Sequence, residues 1–495
     1  MTRCVRHTAV FCLLLLLAPL VNAARIQALK ADEYDDNPAN RRRTIARYSQ
    51  PRGDILVGGV PVTGSTDTGQ RLRYERTYRE GPLYAPVTGY ASQSYGASLL
   101  EHAEDAVLTG TDPRLALLPL WDDLTRARQP GGAVATTIDP ALQRAAFAVL
   151  GRRKGAVAAL DPGTGRILAL VSTPSYDPGR LSGNGAAVTR AWQRLTADPD
   201  RPMLNRALGR TYPPGSTFNV VTAAAALEHG TAADADARTG TPNPYHLPGT
   251  RLMVRDRPRE CAHASLRRAL AVSCDSVFAA LGVRTGPAAM VATAERFGFN
   301  EPGPAVPSPV ATSTFDRRTP PGRLALSAIG HAGVAATPLQ MAMVAAAVAG
   351  GGNVPRPHLV DRLTDGDGAT VAVTPHAVAH QPISRRTAAE LRRMMVGAVT
   401  DGTAGPAAVP GATVGGTTGT ARDGTRRGAR DGARDGGTPY AWFIGWAQKE
   451  GAPLPAVAMA AVVEAPAADR ETDGATEAAR VAGPVLRAAV RGTRP

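Results

Sequence analysis

The chain has 495 residues, 43% of them hydrophobic, with 52 glycines, 41 prolines and four cysteines. That length accommodates about two to four globular units, and the composition excludes a disordered tail, a collagen-like chain and a disulfide-dense miniprotein. Fifty-six basic residues against 42 acidic ones give a net charge of +14, yet only three of the cations are lysines: Lys30, Lys154 and Lys449.

Arg3, Arg6 and His7 precede an apolar run from Ala9 to Val21, which ends at Asn22-Ala23-Ala24. A basic stretch followed by an apolar one marks an exported chain. The run is short beside the ~17–25 residues of a membrane span, and Val21-Asn22-Ala23 resembles a cleavage site. Residues 1–24 therefore read as a signal anchor or a signal peptide, with the anchor as the expectation: a single-pass protein of the cell membrane whose bulk is extracytoplasmic. There the scattered arginines meet lipids and wall polymers, and nucleic acid is not an expected partner. Cys4 and Cys12 precede or enter the anchor, which leaves Cys261 and Cys274 in an oxidising compartment. A disulfide between them would stabilise by about 3 kcal/mol; the alternative is two buried thiols.

After a polar, arginine-rich stretch from Asn40 to Gly53, residues Ile55 to Leu120 alternate short apolar runs with Gly, Pro, Ser and Thr. Residues 25–135 read as a β-rich pedestal. Asp139 is placed to cap a helix starting at Pro140. A hairpin follows, from Gly155 to Ser172 around Asp161-Pro162-Gly163-Thr164-Gly165. Helices are predicted over Ser216–His229, Ser265–Val272, Pro338–Ala349, Ser384–Val399 and Glu477–Val490, and strands over Ala441–Ala447 and Ala456–Val463. Strands at both ends of residues 136–495, with helices between, predict an α+β domain. Ala-Arg-Asp-Gly recurs at 421, 429 and 433, and the run to Gly437 reads as a solvated loop or, more sharply, a contact for an anionic polymer. Asp365-Gly366-Asp367-Gly368 reads as a hairpin turn, and His376 and His380 carry no further sign of a metal site.

Tyr212-Pro213-Pro214-Gly215-Ser216 opens an alanine-rich helix on which Ser216 and Asn219 share a face. Ser273-Cys274-Asp275 stands at a predicted helix end, and Gly416-Thr417-Thr418-Gly419-Thr420 lies in a strand-like stretch before Ala441-Trp442-Phe443-Ile444-Gly445. Together with Pro51-Arg52-Gly53-Asp54-Ile55, Asn205-Arg206-Ala207, the stretch from Ser327 to Met341 and Asp401-Gly402-Thr403, this set resembles the class B penicillin-binding proteins over nearly the whole chain. The resemblance implies a penicillin-binding/β-lactamase-like transpeptidase domain over 136–495 with no cofactor or metal. It also implies a serine acyl-enzyme mechanism built on SxxK, SxN and KTG signatures. The implied partners are peptidoglycan stem peptides or glycan strands, β-lactams, and cell-wall synthesis or division proteins.

Against the family pattern, Ser216 holds the nucleophile position, while Asn219 replaces the SxxK lysine and Thr417 the KTG lysine. Ser273 is retained and Asp275 replaces the SxN asparagine. Thr418 and Gly419 complete the KTG site, and the backbone of Thr420 with that of Ser216 would form the oxyanion hole. An amide has no useful basicity and a threonine hydroxyl no charge, so Ser216 loses its proton acceptor and the cleft loses two cations. Two readings follow: a catalytically impaired pseudo-transpeptidase, or a slow but genuine D,D-transpeptidase acylated at Ser216 by D-Ala-D-Ala stem peptides or penicillin. Whether the chain is an enzyme turns on a substitute base; Asp275 is a carboxylate, weaker than lysine, and its reach is set by the fold. A general drift from lysine to arginine would place arginine at 219 and 417, and neither position has one.

Overall fold

The computed structural model describes residues 2–29, 45, 47–115, 129–304, 306, 308–422, 438–464 and 471–492. Residues 40–44 and 46 of the polar stretch, and residues 423–437 of the Ala-Arg-Asp-Gly run, lie outside them. The first helix, Thr2–Leu29, contains an apolar stretch, Arg3–Ile26, with a mean hydropathy of 2.1. At 1.5 Å per residue this stretch is roughly 36 Å long, enough to cross a ~30 Å hydrocarbon layer. It outruns the Ala9–Val21 core because Ala23, Ala24 and Ile26 continue the helix without a breaker.

In the pedestal the short strands Ile55–Val57, Val60–Pro61, Thr63–Asp67 and Tyr74–Tyr78 are followed by three helices, Gly81–Thr88, Leu99–Ala103 and Asp105–Leu108. The alternating pattern did not announce these helices. Pro82 presets the first turn of one, and Leu83, Val87, Leu100, Val107 and Leu108 are buried from them. A five-stranded sheet orders Thr370–Val373, Val360–Thr364, Ala133–Thr136, Ile55–Val57 and Val60–Pro61. Ile55–Val57 pairs parallel with Ala133–Thr136, and the other pairings are antiparallel. Chain from both sides of residue 135 therefore shares one ladder. The turn between Val360–Thr364 and Thr370–Val373 is closed by Asp365, which accepts from the N–H groups of Asp367 (3.0 Å) and Ala369 (2.8 Å).

Glu101 is fully buried in this pedestal and is gripped from two sides. Arg76 Nε and Arg52 Nε each lie 2.6 Å from one of its oxygens, and Arg52 also reaches Asp105 at 2.6 Å. Burial opposes its charge, but the two guanidiniums outweigh burial and hold its carboxyl below the usual glutamate range.

The larger domain is built on a second five-stranded sheet, entirely antiparallel, in the order Ala412–Arg422, Pro439–Lys449, Val457–Glu464, Gly155–Leu160 and Ile167–Thr173. Its strands are covered on both faces, so they read as continuous apolar runs. Trp442, Ile444 and Trp446 pack with the helix Pro338–Ala349, while Ala441, Phe443 and Ala447 pack with Pro140–Leu150 and Glu471–Gly492. The helix starts follow their caps: Asp139 accepts from Ala141 N–H and Leu142 N–H, Ser265 from Arg268 N–H, and Ser384 from Thr387 N–H.

Removing Glu101 leaves two buried guanidiniums short of a counter-charge. Glu101→Ala is expected to destabilise by about 3–5 kcal/mol in thermal or denaturant unfolding. A carboxyl whose folded pKa is depressed stabilises above its unfolded value and loses that contribution as pH falls through the folded one. The natural protein should therefore lose stability below about pH 4 more steeply than Glu101→Ala does.

Candidate active site

Ser216 sits on a turn held from three directions. Tyr212 meets Tyr440 and Trp442 edge-on, with ring centroids 5.1 and 6.0 Å apart, and Trp442 Nε1–H donates to the Pro213 carbonyl at 3.0 Å. Gly215 has φ +55°, and its N–H donates to Gly330 O at 3.0 Å. A Cβ on Gly215 would stand 2.4 Å from Thr420 O, and one on Gly419 would stand 2.8 Å from Thr217 N and 3.1 Å from Ser216 N. Glycine at both positions lets the turn lie backbone to backbone against the strand Ala412–Arg422. The chain then passes through a 3-10 turn, Gly215–Phe218, into the helix Asn219–Glu228.

Three residues singled out in the sequence meet here. Ser216 Oγ donates to Asp275 Oδ2 at 3.1 Å, and Asn219 Nδ2 donates to Asp275 Oδ1 at 3.1 Å. Asn219 is 1% exposed, and its Oδ1 has no hydrogen-bond partner among the described residues.

Asp275 is positioned by a compact device. Ser273 takes the left-handed conformation (φ 59°) that ends the helix Leu266–Val272, and Cys274 caps the helix Asp275–Thr285. Cys274 is joined to Cys261 with Cα atoms 5.4 Å apart. The first turn of the new helix is anchored by Asp256, whose carboxylate accepts from Asp275 N–H (3.0 Å), Ser276 N–H (3.1 Å) and the Ser276 hydroxyl. Burial pushes the Asp256 carboxyl up, against the pull of these donors. Sequence reasoning missed Asp256, which lies between two arginines in a stretch without periodicity and acts on a helix 19 residues away. Asp256 also lies within 4.8 Å of both cysteine sulfurs, but a disulfide offers no thiolate to a metal.

Thr417 and Thr418 are each 2% exposed on the edge strand, and Thr418 Oγ1 donates to Thr403 Oγ1 at 2.9 Å. Thr403 N–H in turn donates to Ala271 O, which ties the strand to the helix before Asp275. The two lysines among the described residues serve elsewhere. Lys154 pairs with Asp200, and Lys449 stands opposite Ala412, five residues along the strand from Thr417, or roughly 17 Å. His376 rests against the His358 ring, and His380 faces Glu301 at 3.3 Å.

Residues 155–487 match the penicillin binding protein transpeptidase domain family, and residues 52–134 the penicillin binding protein A dimerisation domain. The chain is 38% identical to the peptidoglycan D,D-transpeptidase PbpA of Mycolicibacterium smegmatis, covering 99% of each protein. It is also 38% identical to that of Mycobacterium tuberculosis, over 99% of this chain and all of that one. The crystal structure of PBPA from Mycobacterium tuberculosis superposes with a TM-score of 0.80 over 89% of this chain and 100% of that one. A structure of the same protein as its penicillin G acyl-enzyme complex gives 0.79 over the same shares, again at 38% identity. Domain matches along both parts of the chain, full-length similarity to PbpA and the shared architecture lead to one conclusion: this chain belongs to the class B penicillin-binding proteins and is a homologue of peptidoglycan D,D-transpeptidases.

Proposed function

We propose that the protein is anchored in the membrane by the helix Thr2–Leu29 and works outside the cytoplasm, in cell-wall synthesis or division. There it takes peptidoglycan stem peptides and β-lactams against Ser216 and forms an acyl-enzyme far more slowly than a relative with both lysines. One observation carries this reading: a nucleophile turn pressed backbone to backbone on the sheet edge at Gly419 and Thr420 has uncharged, buried residues in both lysine positions.

The amides of an oxyanion hole do not depend on side-chain identity, so stabilisation of a tetrahedral intermediate is retained in this reading. What is lost is lysine as the proton acceptor, and positive charge. General-base help is worth ~10²- to 10⁴-fold, and because catalytic groups act as a unit the loss of two lysines does not simply multiply. A peptide carboxylate entering beside Thr417 and Thr418 meets hydroxyls where the family supplies an ammonium, and Asp275 adds negative charge nearby. A strained β-lactam, with a more reactive carbonyl than a peptide, is the substrate that tolerates these losses best.

Two outcomes are expected when the full-length protein in detergent is incubated with a fluorescent penicillin. The natural sequence labels slowly, and Ser216→Ala does not label; equal labelling of both would place the nucleophile elsewhere. In the double variant Asn219→Lys, Thr417→Lys, the acylation rate rises by ~10²- to 10⁴-fold. A natural protein that already labels as fast as the double variant would show that the chain is not impaired.

A further inference from the structure

We propose that Asp275 is the general base of this site and that Asn219 is the residue that orients it. The inference rests on the reading that Ser216 still forms an acyl-enzyme. Its ground is the way the two carboxylate oxygens are used: Oδ2 accepts from Ser216 Oγ and Oδ1 from Asn219 Nδ2, each at 3.1 Å. Nucleophile, base and orienting group in hydrogen-bond series is the arrangement by which a serine is activated on unrelated folds. Asn219 suits the third role because it is buried, three residues after Ser216 on the same helical surface, and has an amide N–H₂ to give.

Asp275 is held at its backbone as well as at its side chain. Its N–H is anchored on Asp256, and it begins the helix Asp275–Thr285, whose N-terminal end favours an ionised carboxylate. Asp275 makes hydrogen bonds with Ser216 and Asn219, from the turn and helix around Asn219–Glu228, and with Asp256, from the segment after the strand Met253–Val254. The Asp256 carboxylate accepts from the Asp275 and Ser276 backbone and from the Ser276 hydroxyl.

The step balances without a co-reactant. As Ser216 Oγ bonds to the carbonyl carbon of an amide or β-lactam, its proton passes to Asp275 Oδ2, and the carbonyl electron pair moves onto oxygen between the Ser216 and Thr420 amides. On collapse the C–N bond breaks, and the leaving nitrogen takes the proton from Asp275. An acceptor amine attacking the ester gives its proton to Asp275, which returns it to Ser216 Oγ as the C–O bond breaks.

The test is the rate constant for labelling of the full-length protein by fluorescent penicillin, followed from about pH 6 to pH 8. Asp275→Asn, which installs the family's own residue, should label at least ~100-fold more slowly. Adding a lysine in the double variant Asn219→Lys, Asp275→Asn should restore labelling, now with a rate that climbs with pH as the ammonium deprotonates. That recovery shows that the turn and Ser216 remain intact. Labelling of Asp275→Asn at the natural rate would overturn the assignment while leaving the Ser216 acyl-enzyme in place. A natural protein that never labels would overturn both.

Discussion

The site depends on a contact between two backbones. The Pro213–Phe218 turn and the strand edge at Gly419 approach so closely that a single methyl group on Gly215 or Gly419 would fall inside the other segment. The nearest approaches are to backbone atoms, so the contact does not depend on which side chains stand at positions 219 and 417. Trp442 and Tyr212 hold one end of the turn and the Gly330 carbonyl the other, which locates Ser216 whatever occupies positions 219 and 417.

Electrostatics at the site have been rearranged more than erased. A lysine beside the serine supplies both basicity and positive charge, and Asn219 supplies neither. Asp275 provides an acceptor at the distance a proton acceptor needs, but of the opposite charge. The serine keeps a hydrogen-bond partner. In the proposed reading the anionic end of a substrate loses its counter-ion, so binding and proton transfer, joined in the lysine-bearing pattern, are separated, and a poor ligand for the cleft need not be a poor acylating agent.

Local chemistry was the legible part of the sequence. Asp139, Ser265 and Ser384 each start a helix because a short polar side chain reaches N–H groups two or three residues on, and the helix Pro338–Ala349 is bounded by Thr337 and Gly350. The hairpin around Asp161 and the two strands at the C-terminal end follow from apolar runs broken by turn residues. Helical spacing also placed Ser216 with Asn219. It could not reveal that both point at Asp275, which is 59 and 56 residues further along the chain. Asp256 was invisible for the same reason, since a carboxylate that caps a helix from another segment leaves no periodic trace. The pedestal helices were hidden differently: at four to eight residues they are too short to express a period against their Gly- and Pro-rich surroundings.

The pedestal sheet sets a condition on the order in which the protein can assemble. Ile55–Val57 finds its neighbour at Ala133–Thr136, but that strand's other edge stays open until Val360–Thr364 has been made. At ~5–20 residues per second of synthesis the wait is on the order of tens of seconds, during which a strand edge is left unpaired. The N-terminal part of the molecule is finished only after much of the larger domain exists, so the two cannot mature as independent beads on a string.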